Sequence, residues 1–466
     1  MIKTLKCQRF SQYIAGLTAS LPVLSMGMVA GWSGNAIDDL LTGKLNNIPI
    51  NESLLSWIIS VPNLAPIFLI ILSGILSDRF GRKTTILLLM IPLTIGWFLI
   101  VFANSADLVI IGRFVTGIGT GSLYSIVPIY LTEVSEREIR GKIGSFYMLF
   151  MAFGSLLSYI LGYLIDIKVH TMIGALLPIV FFVIFLFQVE SPIYKAKQGK
   201  YEEALSILKR LRTNSHDVNA EFQEIKLSME ANKSNKSIQE ILQKRSTKLA
   251  FIISLSLVFF QQISGSIMVF FYVMEIFAAS GSSVNEKQAT IFIGVLRVVS
   301  TYVTSSIIEL FTRKKLLLIS SLFSGFGLVI LGLYYTLNDY NLVSKDTLST
   351  LSFMPVLGLC IFIVMAAFGL NNLPPIIAAE LFPLEIKGFG VSIIGCFNWL
   401  FLFLISRFYI NLKYAVGGDG TFYIFAGVCF TCCIFAVSAL PETKGKSFEE
   451  IQCKLNNTSK TENTQV

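Results

Sequence analysis

Twelve runs of apolar residues, each near the length that crosses a hydrocarbon core, leave this chain little room for anything else. They cover about 12–32, 54–76, 84–103, 107–131, 142–164, 172–189, 249–277, 288–308, 315–337, 352–379, 389–410 and 421–440. Lipid cannot hydrogen-bond an open backbone, so a segment lying in it must satisfy its own amides and carbonyls. Runs this long and unbroken exclude barrel strands, which alternate in hydrophobicity over about ten residues. The pattern predicts an all-α polytopic membrane protein of twelve transmembrane helices. Composition agrees: 54% of residues are hydrophobic and only 14% charged, too few to solvate a globular surface. The first run follows Lys3, Lys6 and Arg9, but Pro22 and several glycines interrupt it and eleven spans follow. It therefore reads as a span rather than a cleaved signal peptide.

Charge sets the orientation. Both termini and the loops after the even-numbered spans share one side, which carries 29 of the 37 Lys and Arg residues. The opposite side has Lys44, Lys168, Lys287, Lys345 and Lys413, with Arg113, Arg297 and Arg407 in or near spans. The positive-inside rule makes the basic side and both termini cytoplasmic, the short loops weighing more than the central loop that supplies 12 of the 29. Asn51, two residues before Ser53, is then an outward-facing glycosylation acceptor, whereas the sequons at Asn232, Asn235, Asn456 and Asn457 face the cytoplasm and should stay unmodified. Of seven cysteines, Cys7 and Cys453 are cytoplasmic and the other five fall in spans, so neither a disulfide framework nor metal-ligand spacing appears. The two histidines, His170 and His216, lie in loops, and no nucleophile or acid–base constellation stands out. No enzyme activity, metal, cofactor or nucleic-acid partner is expected.

The segment PIYLTEVSEREIRG at 128–141 is echoed by PIIAAELFPLEIKG at 375–388, with Pro128, Glu133, Arg140 and Gly141 matching Pro375, Glu380, Lys387 and Gly388. DRFGRK at 78–83 is echoed by ELFTRK at 309–314, and the ES after span 6 by the PET after span 12. Acid and base thus recur after the second, fourth and sixth helix of each half. Such duplication predicts two pseudo-symmetric six-helix bundles, 1–189 and 249–440, with a cytoplasmic linker at 190–248 and a tail at 441–466. Within the linker, YEEALSILKRLR at 201–212 places Ala204, Leu205, Leu208 and Leu211 on one stripe and predicts an amphipathic helix. A second helix is expected near 220–229, and a turn at 231–237.

An acid followed by arginines across a glycine turn can lock one helix mouth to its neighbour, since guanidinium offers paired donors to a carboxylate. Asp78, Arg82, Glu133 and Arg140 in one half, and Glu309, Arg313, Glu380 and Lys387 in the other, are the predicted elements of a cytoplasmic gate. The competing reading is topology signalling by solvated loop charge. Arg113, inside GRFVTGIGTG at 112–121, needs a partner or an aqueous cavity because a lone charge in hydrocarbon is costly. It is expected to face the protein interior, within reach of the cytoplasmic portion or at mid-depth, with Glu133 as a partner only if an adjacent helix bends the distance. Gly112, Gly117, Gly119 and Gly121 around it form a face for close helix approach.

Span 7 carries QQISGSIMVFFY at 261–272. Gln261 and Gln262 can each offer a donor and an acceptor to a hydroxyl, and Tyr272 adds a polar end to an aromatic surface. Gly265 permits local unwinding there. Asn398 and Trp399 in span 11, Asn371 and Asn372 in span 10, and Arg297 in span 8 fall at comparable depth. Pro374 and Pro375 must interrupt the ladder of span 10, as a moving gate or a packed kink. Spans 1 and 5 hold no acid in their cores, and Glu275 is the one candidate ion carrier, so passive facilitated transport is favoured over proton symport.

DRFGRK, GRFVTGIGTG, PIYLTE with RG, ESP at 190–192, QQISG, NW at 398–399 and PETKGKSFEE at 441–450, in that order, resemble the sugar porter family of the major facilitator superfamily, among them the insect facilitated trehalose and hexose transporters. The resemblance spans essentially the whole chain. It implies twelve helices, alternating access, a central site, sugar contacts by Gln261, Gln262 and Asn398, and gate roles for Glu133, Arg140, Glu309, Arg313 and Glu380. It also implies that Arg113 belongs to the cytoplasmic charge network. Four positions depart from the family pattern: Met148 for a glutamine, Ile267 for an asparagine, Pro375 for a tryptophan and Arg297 for an amide. The expected activity is facilitated movement of a hexose or trehalose across the plasma membrane by a monomer. The alternatives are a carrier of an anion or other solute using Arg297, and a non-transporting sugar receptor.

Overall fold

The computed structural model describes residues 10–136, 138–212, 217–231, 238–279, 286–308, 310–383, 386–446, 450, 451 and 455. Glu309, His216, Cys7, Cys453, the cytoplasmic sequons and the expected turn beyond Ala231 lie outside them. No strand occurs among the described residues. The helices are α1 (Phe10–Leu41), α2 (Glu52–Ser60), α3 (Ala65–Phe80), α4 (Arg82–Val101), α5 (Ala106–Val134), α6 (Arg140–Leu164), α7 (Ile167–Leu186), α8 (Pro192–Lys197), α9 (Tyr201–Leu211) and α10 (Val218–Ala231). They continue with α11 (Ile238–Gln243), α12 (Arg245–Ile263), α13 (Ser266–Phe271), α14 (Val273–Ala279), α15 (Glu286–Ile307), α16 (Arg313–Asp339), α17 (Lys345–Thr350), α18 (Phe353–Phe368), α19 (Leu373–Leu381) and α20 (Lys387–Ser438).

Among the described residues, eleven helical segments are long and apolar enough to cross a membrane. The last two apolar runs of the sequence fall in one of them, the 52-residue α20, where Gly417 (φ 80°, ψ 169°) departs from helical backbone. The protein is an all-α, multi-pass membrane protein. It divides into two compact units, Met1–Ile50 with Val61–Asn235, and Asn51–Ser60 with Lys236–Val466. Helix α2 belongs to the second unit because its side chains are bound there. Trp57 lies under the Arg407 guanidinium at 4.6 Å, Ser56 Oγ donates to Arg407 O at 2.6 Å, and Tyr414 OH donates to Glu52 Oε2 at 2.6 Å.

In the first unit α1 lies along α6, and the approach is so close that a Cβ on Gly27 would strike Met151 O while one on Gly154 would strike Leu24 O. The glycine face of α5 packs as its sequence predicts. Gly112 meets Ile100 and Gly96, Gly119 meets Leu93, and Gly117 and Gly121 meet Pro62 and Pro66. Below this bundle the amphipathic α9 buries Ala204, Leu208 and Leu211. The Arg212 guanidinium ties it in, donating to Val134 O at the end of α5 and to both carboxylate oxygens of Glu221 on α10, each at 2.7 Å.

In the second unit α16 packs along α18 and α20, and α12 along α19 and α20. Two membrane segments are broken. Gly265 takes left-handed backbone (φ 79°) between α12 and α13, the local unwinding expected there, and a Cβ at this position would meet the Phe425 ring. The other break separates α18 from α19 over residues 369–372, before the paired prolines rather than at them. Pro374 and Pro375 sit in the first turn of α19, a position that tolerates proline.

Candidate functional site

Two charge clusters of the same design close one end of each unit. In the first, Gly81 (φ 99°) makes the turn from α3 to α4, so that Arg82 opens α4 while Asp78 and Ser77 end α3. Arg82 is buried. Its Nε donates to both carboxylate oxygens of Glu133, at 3.2 and 3.0 Å, its Nη2 to Glu133 Oε1 at 3.1 Å, and its Nη1 to Ser77 O at 3.0 Å and Asp78 Oδ1 at 2.9 Å. Ser191, the N-cap of α8, donates its hydroxyl to Glu133 Oε2. Glu190 beside it accepts from the backbone amides of Lys83 at 2.9 Å and Ser191 at 2.8 Å, placing a carboxylate on the positive end of α4.

The second unit repeats this. Arg313 opens α16 and donates from Nη2 to Glu380 Oε1 at 3.2 Å and from Nη1 to Ile308 O at 2.9 Å. Thr443 takes the place of Ser191 and donates to Glu380 Oε2. Glu442 takes that of Glu190, accepting from the amides of Arg313 at 3.0 Å, Lys314 at 3.2 Å and Lys444 at 3.0 Å. Burial works to raise the Glu442 carboxyl, but the Lys444, Lys314 and Arg313 amides and the Thr312 hydroxyl outweigh it and hold it below the ordinary glutamate value. The copies differ in exposure: the Glu133 side chain is 9% exposed and that of Glu380 28%.

Of the residues singled out from the sequence, Asp78, Arg82 and Glu133 are brought together, and so are Arg313 and Glu380. Arg140 opens α6 and is exposed, and Lys387 opens α20 half-buried. Glu190, Ser191, Glu442 and Thr443 were not singled out, although the doubled ES and ET pairs after spans 6 and 12 were a signal for them. Arg113 is corrected. It lies twenty positions before Glu133 in the same helix, about 30 Å along its axis, and so stands apart from the charge cluster. Its buried guanidinium donates to Val29 O at 3.2 Å and to the Ser33 hydroxyl and lies 5.0 Å over the Trp32 ring, all on α1. The cost of charge in lipid accounts for its burial in the protein interior, and its contacts on α1 take the place of the expected charge network.

The amides form a second constellation. Gln262 Nε2 donates to Asn398 Oδ1 at 2.7 Å, both side chains being buried, and Trp399 is buried beside Asn398. Gln261 Nε2 donates to the backbone carbonyl of Asn371 at 2.8 Å, and its Oε1 is buried without a hydrogen bond. Tyr272 is set apart from these amides. Its ring packs 4.4 Å from that of Tyr409, eleven residues beyond Asn398 on α20 and so about 16 Å along the helix. Arg297 is half-buried on α15, which packs against α18, while the amides lie on α12 and α20. Among the described residues no group of His, Cys, Asp and Glu side chains could hold a metal.

Broken helices, buried amides and duplicated charge clusters at helix ends define a polytopic helical transporter rather than an enzyme. Residues 17–455 match the family of sugar (and other) transporters, and the chain belongs to that family. It is 31% identical over 453 residues to the facilitated trehalose transporter Tret1 of Culex quinquefasciatus, covering 97% of this chain and 86% of that one. It is 29% identical over 449 residues to Tret1 of Anopheles gambiae, with 96% of this chain but only 56% of that longer protein covered. The fold is similar to the inward-open conformation of the xylose transporter XylE from E. coli, with a TM-score of 0.78 at 22% identity, over 94% of this chain and 98% of that one.

Proposed function

We propose that this protein moves a sugar, a hexose or trehalose, down its gradient across the plasma membrane by alternating access. The observation that carries the reading is the amide constellation: a buried Gln262–Asn398 pair beside a buried Gln261 Oε1 that accepts no hydrogen bond. Such groups are costly to bury unless a ligand hydroxyl completes them. The family membership and the similarity to trehalose transporters support the choice of sugar. In this reading α20 is two spans joined at Gly417, making twelve in two six-helix bundles, with both termini cytoplasmic, Asn51 available for glycosylation and the monomer as the working unit. The Arg82–Glu133 and Arg313–Glu380 clusters, with Asp78, Arg140 and Lys387 nearby in sequence or space, are the cytoplasmic gate elements. The absence of acids from the cores of spans 1 and 5 favours a uniporter. Uptake of labelled glucose and trehalose into proteoliposomes tests this. Flux above empty vesicles, reduced by Gln261→Ala, is expected, and no flux of either sugar refutes it.

Arg297 favours a second reading, because a half-buried guanidinium on a membrane helix can hold an anionic solute. Arg297→Gln would then abolish anion uptake while sparing sugar uptake, and the opposite result removes this reading.

A further inference from the structure

Several backbone groups at the α18–α19 break are taken up by side chains. Ser320 on α16 accepts from Leu370 N at 2.8 Å and donates to Met365 O at 2.6 Å. Asn372 donates its own side-chain amide to Ala367 O at 2.7 Å. The carbonyl of Asn371 is a further case. In a continuous helix it would accept from the N–H of residue 375, four positions on, but that residue is Pro375 and has none. Gln261, 110 residues earlier on α12, supplies the missing donor at 2.8 Å. Its amide therefore stands in for a backbone N–H that the proline removed. The other atom of the same side chain, Oε1, is buried and accepts nothing.

We propose that Gln261 is the positioning residue that couples ligand occupancy to the break in span 10. Its Nε2 clamps the Asn371 carbonyl, and its Oε1 accepts a hydroxyl from a polyol ligand. An amide whose oxygen accepts a hydrogen bond becomes a stronger donor through its N–H, since linked hydrogen bonds polarise one another. A bound hydroxyl therefore tightens the clamp, and its departure loosens the same point. The nature of the ligand rests on the sugar-carrier reading, whereas the clamp does not. Pro375 thereby acquires a role: it removes the i+4 donor of a carbonyl that a side chain of another helix satisfies.

Hydrogen exchange of the full-length protein in lipid nanodiscs, followed over the amides of residues 366–373 with and without glucose or trehalose, tests the proposal. In the wild-type protein sugar should slow exchange across the break. Gln261→Leu should exchange roughly five-fold faster without sugar, the equivalent of one neutral hydrogen bond, and should show no sugar response. Adding Pro375→Ala to Gln261→Leu returns an N–H to residue 375 and should restore slow basal exchange without restoring the sugar response. Unchanged basal exchange in Gln261→Leu, failure of Pro375→Ala to rescue it, or a sugar response that survives in Gln261→Leu each overturns the proposal. If basal loss and rescue occur but neither sugar affects the wild type, the sugar coupling is refuted and the clamp alone stands.

Discussion

Removing Arg82 and removing Arg313 should not cost the same, although the two residues hold equivalent places. Arg82 meets Glu133 through three donor contacts of 3.0 to 3.2 Å, and the Glu133 side chain is 9% exposed. Arg82→Leu leaves that carboxylate buried with only the Ser191 hydroxyl, the situation in which breaking a buried ion pair costs about 3–5 kcal/mol. Glu380 is 28% exposed, so water replaces part of what Arg313→Leu removes. The loss there is about 1–2 kcal/mol, between the buried and the exposed cases. Thermal unfolding of the purified protein in detergent should show the melting temperature falling by about 10 °C for Arg82→Leu and about 4 °C for Arg313→Leu, using the few degrees per kcal/mol typical of units this size. Arg82→Leu combined with Glu133→Leu should recover most of the first loss, because an apolar pair carries no unmatched charge. Equal losses for the two arginine variants, or a double variant no better than Arg82→Leu, would refute the burial argument.

Two further outcomes can be measured on the same preparation. Gln262→Leu should destabilise by about 1–3 kcal/mol by leaving Asn398 Oδ1 buried without its donor, while Gln262→Leu with Asn398→Leu regains stability but not sugar uptake. Glu442 titrates lower in the folded protein than its ordinary value of 4.5, so its contribution is full above that value and fades as pH falls through the folded value. The stability gap between wild type and Glu442→Gln should therefore be widest near neutrality and narrow as pH falls below 4.5, and a gap that widens on acidification would contradict the amide contacts.

The charged helix ends were legible because their meaning is local. Asp78, Gly81 and Arg82 sit within one turn of chain, and the repeat after spans 8 and 10 marked Arg313 and Glu380 as their counterparts. Glu190 and Glu442 escaped notice because a carboxylate that accepts backbone amides looks, in sequence, like any loop acid. What gives each its function is a helix N-terminus more than a hundred residues away. Arg113 shows the converse. The cost of a guanidinium in lipid demanded a buried partner, but nothing in GRFVTGIGTG names Val29, Ser33 and Trp32 on α1.

The sequence by itself determined that this protein crosses a membrane as helices. An apolar run of about twenty residues must satisfy its backbone within its own segment, and that condition is met by neighbours in the chain. It also marked which membrane segments would break, since Gly265 and the paired prolines at 374 and 375 act on their own backbone, although the second break falls before the prolines, at residues 369–372. Only the tertiary structure decided what fills those breaks. The carbonyl of Asn371 lacks a local donor by covalent structure, and which distant amide reaches it depends on how α12 packs against α19.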